Sequence, residues 1–434
     1  MSKTARVSSA AIWVLMLASC VTGVTVNDDV VDESEHTAAA ELAFVAAPSS
    51  AKVCDVVMAG ADPAGVADST QAFKDAMTCS TLNGNIPVFV PSGQYKITQK
   101  LTVPVAVSLV GTQSGGVGVN GPPNYDSLPR LNFPAGMNSD AIVLQERTSI
   151  NGIQLYFSTQ QASGAALRVT GVGVDIRNVK LTSPFYGILG ADTDNVGRIH
   201  VSNVFMVQPR IGVHLGQTLD VSRVENVHVW NNGGIVSGSY GFVFARNDYL
   251  NASNISVFQA DVGVEFTDST NAATPGGSIA SISNLQADAC VTGVNVRGNA
   301  RVSMGASTVF VHYYGMVAYD SSTVTVSGTQ FQTNGGATIW MRSANASATI
   351  SGCSIDRTSK ASPSNAVLVD AAKYITVTGN TMAVYGHGVM FHAAPTLGVV
   401  SGNAIHITNP YGRAWWGTWG TGTVISGNAS NLLP

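Results

Sequence analysis

From about residue 150 onward the chain alternates apolar and polar positions in short runs, without the three-and-four spacing of an amphipathic helix. The runs recur as a unit: two or three β-branched positions, a small residue or Asn, further alternating apolar residues, a loop, then Gly-Val-x-apolar. Ile199-His200-Val201-Ser202-Asn203-Val204 leads to Ile211-Gly212-Val213, and Ile375-Thr376-Val377-Thr378-Gly379-Asn380 leads to Gly388-Val389. Aligned on its turn, the unit recurs at Gly152, Asn178, Asn203, Asn226, Asn254, Asn284, Ala306, Thr329, Cys353, Asn380, Asn403 and Asn428, with a mean spacing of about 25 residues. That period suits a coil of three short strands and three turns, stacked on its neighbour at about 4.8 Å. The predicted architecture is therefore an all-β solenoid of about twelve rungs. Asn tolerates left-handed backbone and can offer its amide to the Asn above and below, so these positions are expected to form a structural ladder.

Period-two alternation along Gly-Val-x-apolar points Leu189, His214, Val243, Glu265, Asn295, Val317, Ile339, Leu368 and Met390 out of the solenoid. A polar position follows a few residues on: Asp192, Gln217, Arg246, Asp268, Arg297, Asp320, Arg342, Asp370 and His392. The signs nearly alternate, so neighbours one strand apart are expected to pair as a charge ladder.

The N-terminal part reads differently. Val53-Cys54-Asp55-Val56-Val57 is a strand, Gly60-Ala61-Asp62-Pro63-Ala64-Gly65 a turn, and Asp68-Ser69-Thr70 the cap of a helix through Phe73. Ile86-Pro87-Val88-Phe89-Val90-Pro91-Ser92-Gly93 to Leu109-Val110-Gly111 gives further strands. In order and spacing this segment resembles the opening of the pectate lyase superfamily, including its rhamnogalacturonase and epimerase-like branch. The resemblance implies a right-handed parallel β-helix whose first turn is capped by the short helix. The superfamily includes lyases, hydrolases, epimerases and phage tailspikes, so the resemblance speaks to fold far more than to reaction.

Composition agrees with short strands and tight turns: 45% of residues are hydrophobic, 11% are charged, and 45 are Gly. A formal net charge of -4, with no basic run interleaved with aromatics, argues against a nucleic-acid partner. Lys3 and Arg6 precede an apolar run, Ala10 to Leu17, too short to cross a bilayer. Leu17-Ala18-Ser19-Cys20 resembles a bacterial lipobox, with Cys20 as the lipidation site. Residues 1–20 are thus expected to be an export signal, 21–50 a disordered acidic tether, and 51–434 one β-helix domain on the bacterial cell surface, with ordinary secretion as the alternative. The lipid anchor would be its only link to a membrane. Cys54 and Cys79 are expected to pair in an oxidising compartment, while Cys290 and Cys353 are read as small buried hydrophobes.

In the enzymes this fold resembles, substrate lies across the outward face of one sheet. His214 and Glu265 are two rungs apart on that face, with Arg246 and Asp268 on the adjoining turn, and these four are the candidate catalytic residues. An inverting hydrolase needs an acid and a base bracketing a water, with its two carboxyl groups about 6.5–9.5 Å apart, and Glu265 with Asp268 or Asp192 is the carboxylate pair considered. A lyase would bring in calcium, for which no cluster of acids stands out; no other cofactor and no zinc spacing is evident. Asn295, His387 in Gly386-His387-Gly388, and the aromatics Trp230, Trp415 and Trp416 are candidate sugar contacts, although Trp415, Trp416 and Trp419 could equally cap the solenoid's end. The expected function is an extracellular polysaccharide-degrading enzyme, with hydrolysis favoured over elimination. The alternative is a non-catalytic surface module that binds carbohydrate or protein.

Overall fold

The computed structural model describes residues 53–112, 128–357, 360 and 365–432. Cys20 and the acidic stretch 21–50 therefore lie outside the described residues. Apart from one helix, the regular structure among the described residues is all strand, and the ladders between strands are parallel: each strand pairs with its counterpart one coil on, as in Tyr186–Gly190 with Ile211–Trp230 and then Tyr240–Phe258. The chain coils as a right-handed β-helix.

Three sheets run the length of the solenoid. The front sheet holds the Gly-Val-x-apolar strands. A second holds Ile279–Ser283, Arg301–Gly305, Thr323–Ser327 and Ser347–Ser351 with their equivalents. The third, entered through the Asn turn, holds strands such as Gln330–Thr333 and Ser354–Arg357. Register along the front sheet joins thirteen outward positions: Thr102, Val143, Arg168, Leu189, His214, Val243, Glu265, Asn295, Val317, Trp340, Leu368, Met390 and Trp416. The expected column is reproduced with one correction. Ile339 pairs with Met316 on the inward side and is buried, so its neighbour Trp340 faces out.

The core is a stack of like side chains. Ile188, Val213, Phe242, Val264, Val294, Met316, Ile339, Val367 and Val389 form one inward column of the front sheet. Glycine precedes this column on six rungs in succession, at 187, 212, 241, 263, 293 and 315. The reason is steric. A Cβ on Gly241 would fall 2.6 Å from the carbonyl oxygen of Gly263, and on Gly263 it would fall 2.6 Å from that of Gly293. The coil bends so sharply there that only glycine fits.

The ladder at the second turn changes construction part-way. In the lower coils Asn178, Asn203, Asn226, Asn254 and Asn284 are themselves left-handed, and Asn178 and Asn203 hand their amides down the stack at 2.7 and 3.2 Å. From Gly328 upward the left-handed residue is glycine, as at Gly379 and Gly402. Thr329, Cys353, Asn380, Asn403 and Asn428 therefore stand one position later than the turn residue they were aligned with, and point inward. Asn380 and Asn403 are fully buried and form a second ladder: Asn403 Nδ2 donates to Val377 O at 2.9 Å and to Asn428 Oδ1 at 2.8 Å.

The ends are closed differently. The helix Thr70–Leu82 lays Ala72, Phe73, Ala76 and Met77 over the first coil. The carboxylate of Asp68, rather than the side chain of the N-cap Ser69, accepts the Thr70 N–H at 3.0 Å. Asp62 gathers the N–H groups of Ala64, Val66 and Ala67 at 2.8–2.9 Å. Cys54 and Cys79 form the expected disulfide, while Cys290 and Cys353 are free and buried. At the far end Trp415 packs against the core. Among the described residues no helix is long and apolar enough to cross a membrane.

Candidate functional site

Outward side chains of the front sheet form two columns, one from the Gly-Val-x-apolar positions above and one through Tyr186, Ile211, Tyr240, Val262, Thr292 and Tyr314. Although they face away from the core, Val243 and Val317 are buried. Their neighbours are large and polar and close over them, so this face is a packed layer rather than a bare sheet.

Three polar clusters follow one another up this layer. In the first, His214 Nε2 lies 3.3 Å from Asp192 Oδ1, and the Tyr186 ring meets the imidazole edge-on at 5.8 Å between centroids. Asp192 also accepts the Thr270 N–H at 2.7 Å and the Thr270 hydroxyl, and its carbonyl accepts Asn271 Nδ2 at 3.1 Å. The hydrogen bond from His214, followed by those from Thr270, holds the Asp192 carboxyl well below the usual carboxylate range despite opposing burial. Burial and the Asp192 charge push the Tyr186 phenol up.

In the second cluster, Glu265 Oε2 accepts Asn295 Nδ2 at 3.3 Å and lies 3.5 Å from Arg297 Nε. Asn295 is 5% exposed, and its Oδ1 is buried with no partner. Arg297 lies over the Tyr319 ring at 4.0 Å. In the third, Trp340 Nε1 donates to Asp370 Oδ2 at 2.8 Å, Asp370 Oδ1 lies 2.6 Å from His392 Nδ1, and Arg342 lies over Trp340 at 4.2 Å.

The segment between Asp268 and Gly277, which bridge each other at its base, reaches back to Asp192 and Gln217. It forms a wall along the turn edge of the face. Arg246 and Asp268 serve this wall separately. Arg246 donates to Pro275 O and binds Asp248 at 2.9 Å, while Asp268 accepts the Asn299 N–H at 2.8 Å and Asn299 Nδ2 at 2.9 Å. The expected rung-by-rung charge ladder is thus corrected. Among the described residues of that column only Asp370 and His392 form an ion pair with each other, because backbone N–H groups, aromatic faces and loop residues offer the others better geometry.

The remaining candidates are dispersed. Trp230 ends a third-sheet strand, paired with Val207 and Phe258, away from the front sheet. Trp415 faces the core, whereas Trp416 continues the outward column and stacks on His387 at 6.0 Å with 12° between the planes. Burial, with Arg413 nearby, pushes the His387 imidazole down. Asp192, Tyr186 and Thr270 complete the His214 cluster. Of these, Asp192 and Tyr186 carry a sequence signal, as members of repeat columns, and Thr270 carries none.

Residues 292–433 match the family described as right handed beta helix region, and residues 53–295 match the family described as rhamnogalacturonase A/epimerase, pectate lyase-like. No curated protein matches the chain. Among solved structures, the A-module of the Azotobacter vinelandii mannuronan C-5 epimerase AlgE6 is 16% identical, with a TM-score of 0.57, covering 87% of this chain and 99% of that one. The N-terminal fragment of bacteriophage phi29 gene product 12 is 14% identical, with a TM-score of 0.66 over 88% of this chain and 71% of that one. A tailspike double mutant of E. coli bacteriophage HK620 is 11% identical, with a TM-score of 0.58 over 86% and 80%. At such identities the structures share the fold. The match over residues 53–295 covers more than half of the chain, from the capped first coil through Asn295, and on it this protein belongs to the rhamnogalacturonase A/epimerase, pectate lyase-like family.

Proposed function

We propose that the protein is an extracellular polysaccharide-degrading enzyme that cleaves a glycosidic bond over Val243 on the front sheet. The carrying observation is that two ionisable side chains, His214 and Glu265, bracket this apolar residue on consecutive rungs beside a pinned loop wall. Their strands are two spacings, or about 10 Å, apart. Asp192 is held ionised and can only accept, so the His214 proton sits on Nε2 and Nδ1 is left as the base. In the proposed step Nδ1 takes a proton from water as the water oxygen bonds to the anomeric carbon. The carbon–oxygen bond to the leaving sugar breaks, and that oxygen takes a proton that Glu265 must carry on Oε1, the carboxyl oxygen other than the one facing Asn295 and Arg297. Asp268 and Arg246 act as positioning residues for the wall, Asn295 fixes Glu265, and Trp416 with His387 offers a stacking surface further along.

A second reading, a non-catalytic carbohydrate-binding surface module, is favoured by one observation: the acids beside the front face already have protein partners, Asp192 in His214 and Thr270 and Asp268 in Asn299. Export through the leader ending at Cys20, and anchoring there, are part of the proposal, supported by the Cys54–Cys79 disulfide. Assays on neutral and uronate-containing polysaccharides decide the matter, following new reducing ends and unsaturated-product absorbance with and without calcium. Reducing ends without unsaturation are expected. Unsaturation would replace hydrolysis by elimination, and glycan binding without any product would establish the module.

A further inference from the structure

The third cluster on the front face, Trp340, Arg342, Asp370 and His392, has no role in the cleavage proposed over Val243, yet it is built as a base. Met341 pairs with Val369 and Arg342 with Ala371, so Asp370 is the extra residue of a β-bulge, a device that re-aims one side chain. Its carboxylate is fixed at both oxygens: Oδ2 accepts Trp340 Nε1 at 2.8 Å, and Oδ1 lies 2.6 Å from His392 Nδ1. Because a carboxylate only accepts, the neutral imidazole carries its proton on Nδ1 and leaves the Nε2 lone pair free. The His392 side chain is 51% exposed, and no described residue bonds to Nε2. Arg342, on the rung below Asp370, lies over the Trp340 ring at 4.2 Å and the Tyr319 ring at 5.3 Å. Two aromatic faces thus hold the guanidinium, and no carboxylate among the described residues pairs with it.

A base beside a held cation, with no free carboxylic acid, suits attack on a carbonyl rather than on an acetal. Acetal cleavage needs an acid for the leaving oxygen. Here both oxygens of Asp370 are engaged, and Glu265 lies five strand pairings from Met390, roughly 24 Å away. Ester hydrolysis needs only a base and a donor for the oxyanion. We infer that this cluster is a second catalytic centre, one that hydrolyses an acyl ester carried on a sugar hydroxyl. His392 Nε2 takes a proton from water as the water oxygen bonds to the acyl carbon, and the Arg342 N–H groups receive the charge that gathers on the carbonyl oxygen. The bond from the acyl carbon to the sugar oxygen then breaks, and His392 returns the proton to that oxygen. The products are a carboxylic acid and a free hydroxyl. Asp370 and Trp340 are positioning residues, and the outward strip of Leu368, Met390 and Trp416 gives the substrate an apolar bed. That the ester sits on a sugar rests on the carbohydrate reading of the front face; the ester chemistry does not.

The test gives the full-length protein O-acetylated xylan and, as a probe indifferent to the sugar, 4-nitrophenyl acetate. Saturable acetate release from both is expected. His392→Gln should lower kcat about 100-fold or more. Asp370→Asn, which admits the wrong imidazole tautomer, and Trp340→Phe, which keeps a ring and removes the N–H, should each lower kcat with little change in KM. Hydrolysis of neither ester overturns the centre, as does an unchanged kcat in His392→Gln or a lowered melting temperature with kcat intact in Asp370→Asn. Hydrolysis of the nitrophenyl ester alone keeps the base and overturns the sugar ester. The two proposals fail separately. Glu265→Gln should lose glycosidic cleavage and keep acetate release, and loss of both would overturn a separate centre. A wild-type protein that releases acetate but cleaves no glycosidic bond keeps this centre and loses the cleavage reading.

Discussion

Asp192 Oδ1 lies 3.3 Å from His214 Nε2 one rung further on, while the same carboxylate accepts the Thr270 N–H at 2.7 Å from 78 residues away. One side chain thus orients the candidate base and pins the loop that walls it. Asp192→Asn should cost about 1–3 kcal/mol, the loss of charge-assisted hydrogen bonds at a largely buried site. It should also raise the exchange rate of the Thr270 amide, read by hydrogen–deuterium exchange, while amides of the inward column stay protected.

The same carboxyl predicts an acid limit. Its folded pKa is depressed below the ordinary carboxylate value of about 3.9. Its contribution is therefore present in full above that value and lost as pH falls through the folded one. Asp62, depressed by the N–H groups of Ala67, Ala64 and Val66, acts in the same direction at the N-terminal cap. Thermal melts at pH 7 and 5 should nearly coincide in this respect and fall steeply below pH 4, less steeply in Asp192→Asn.

The glycine column predicts a sharp local intolerance. In Gly241→Ala the new methyl would meet Gly263 O and Val257 Cγ2, both at 2.6 Å. One of these is backbone and cannot step aside. The substitution should destabilise by about 1–3 kcal/mol, measured by denaturant midpoint. Gly234→Ala, where a Cβ meets nothing within 4 Å but the φ of +93° is strained for any side chain, serves as a contrast dominated by backbone strain.

How much of this was legible beforehand depends on what repeats. The rung period, the inward column and the outward placement of His214, Val243 and Glu265 follow from alternation that recurs on every coil. The error at Ile339 arose because the loop before it, with Gly335 and Gly336, changes length, and a shift of one residue swaps faces. The upper Asn positions stand one residue past the turn because Asn and Gly can each hold the left-handed conformation, and in Gly379-Asn380 and Gly402-Asn403 the glycine takes it. The Thr270–Asp192 contact had no signal at all. It depends on where a single non-repeating loop lands, and no periodicity encodes that.

The two Asn ladders should respond unequally. Asn203→Ala removes side-chain amide contacts at a partly exposed turn. Asn403→Ala strips partners from the buried Val377 O and from the Asn380 N–H, which donates to Asn403 Oδ1 at 3.0 Å. Each buried orphan costs about 1–3 kcal/mol, so Asn403→Ala should lower the denaturant midpoint further. Equal losses would mean that the inward ladder fills space rather than satisfying backbone.

Cleavage chemistry is tested most directly by splitting the bracket over Val243. If His214 is the base and Glu265 the acid, His214→Asn and Glu265→Gln should each lower kcat by about 10²–10⁴-fold with little change in KM, the scale of general acid–base catalysis. Trp416→Ala, several rungs away, should raise KM for long polymers and leave kcat alone. A double variant no slower than either single one would mean the two side chains act as one unit, with Asp192 and Arg297, their respective neighbours, the next positions to substitute.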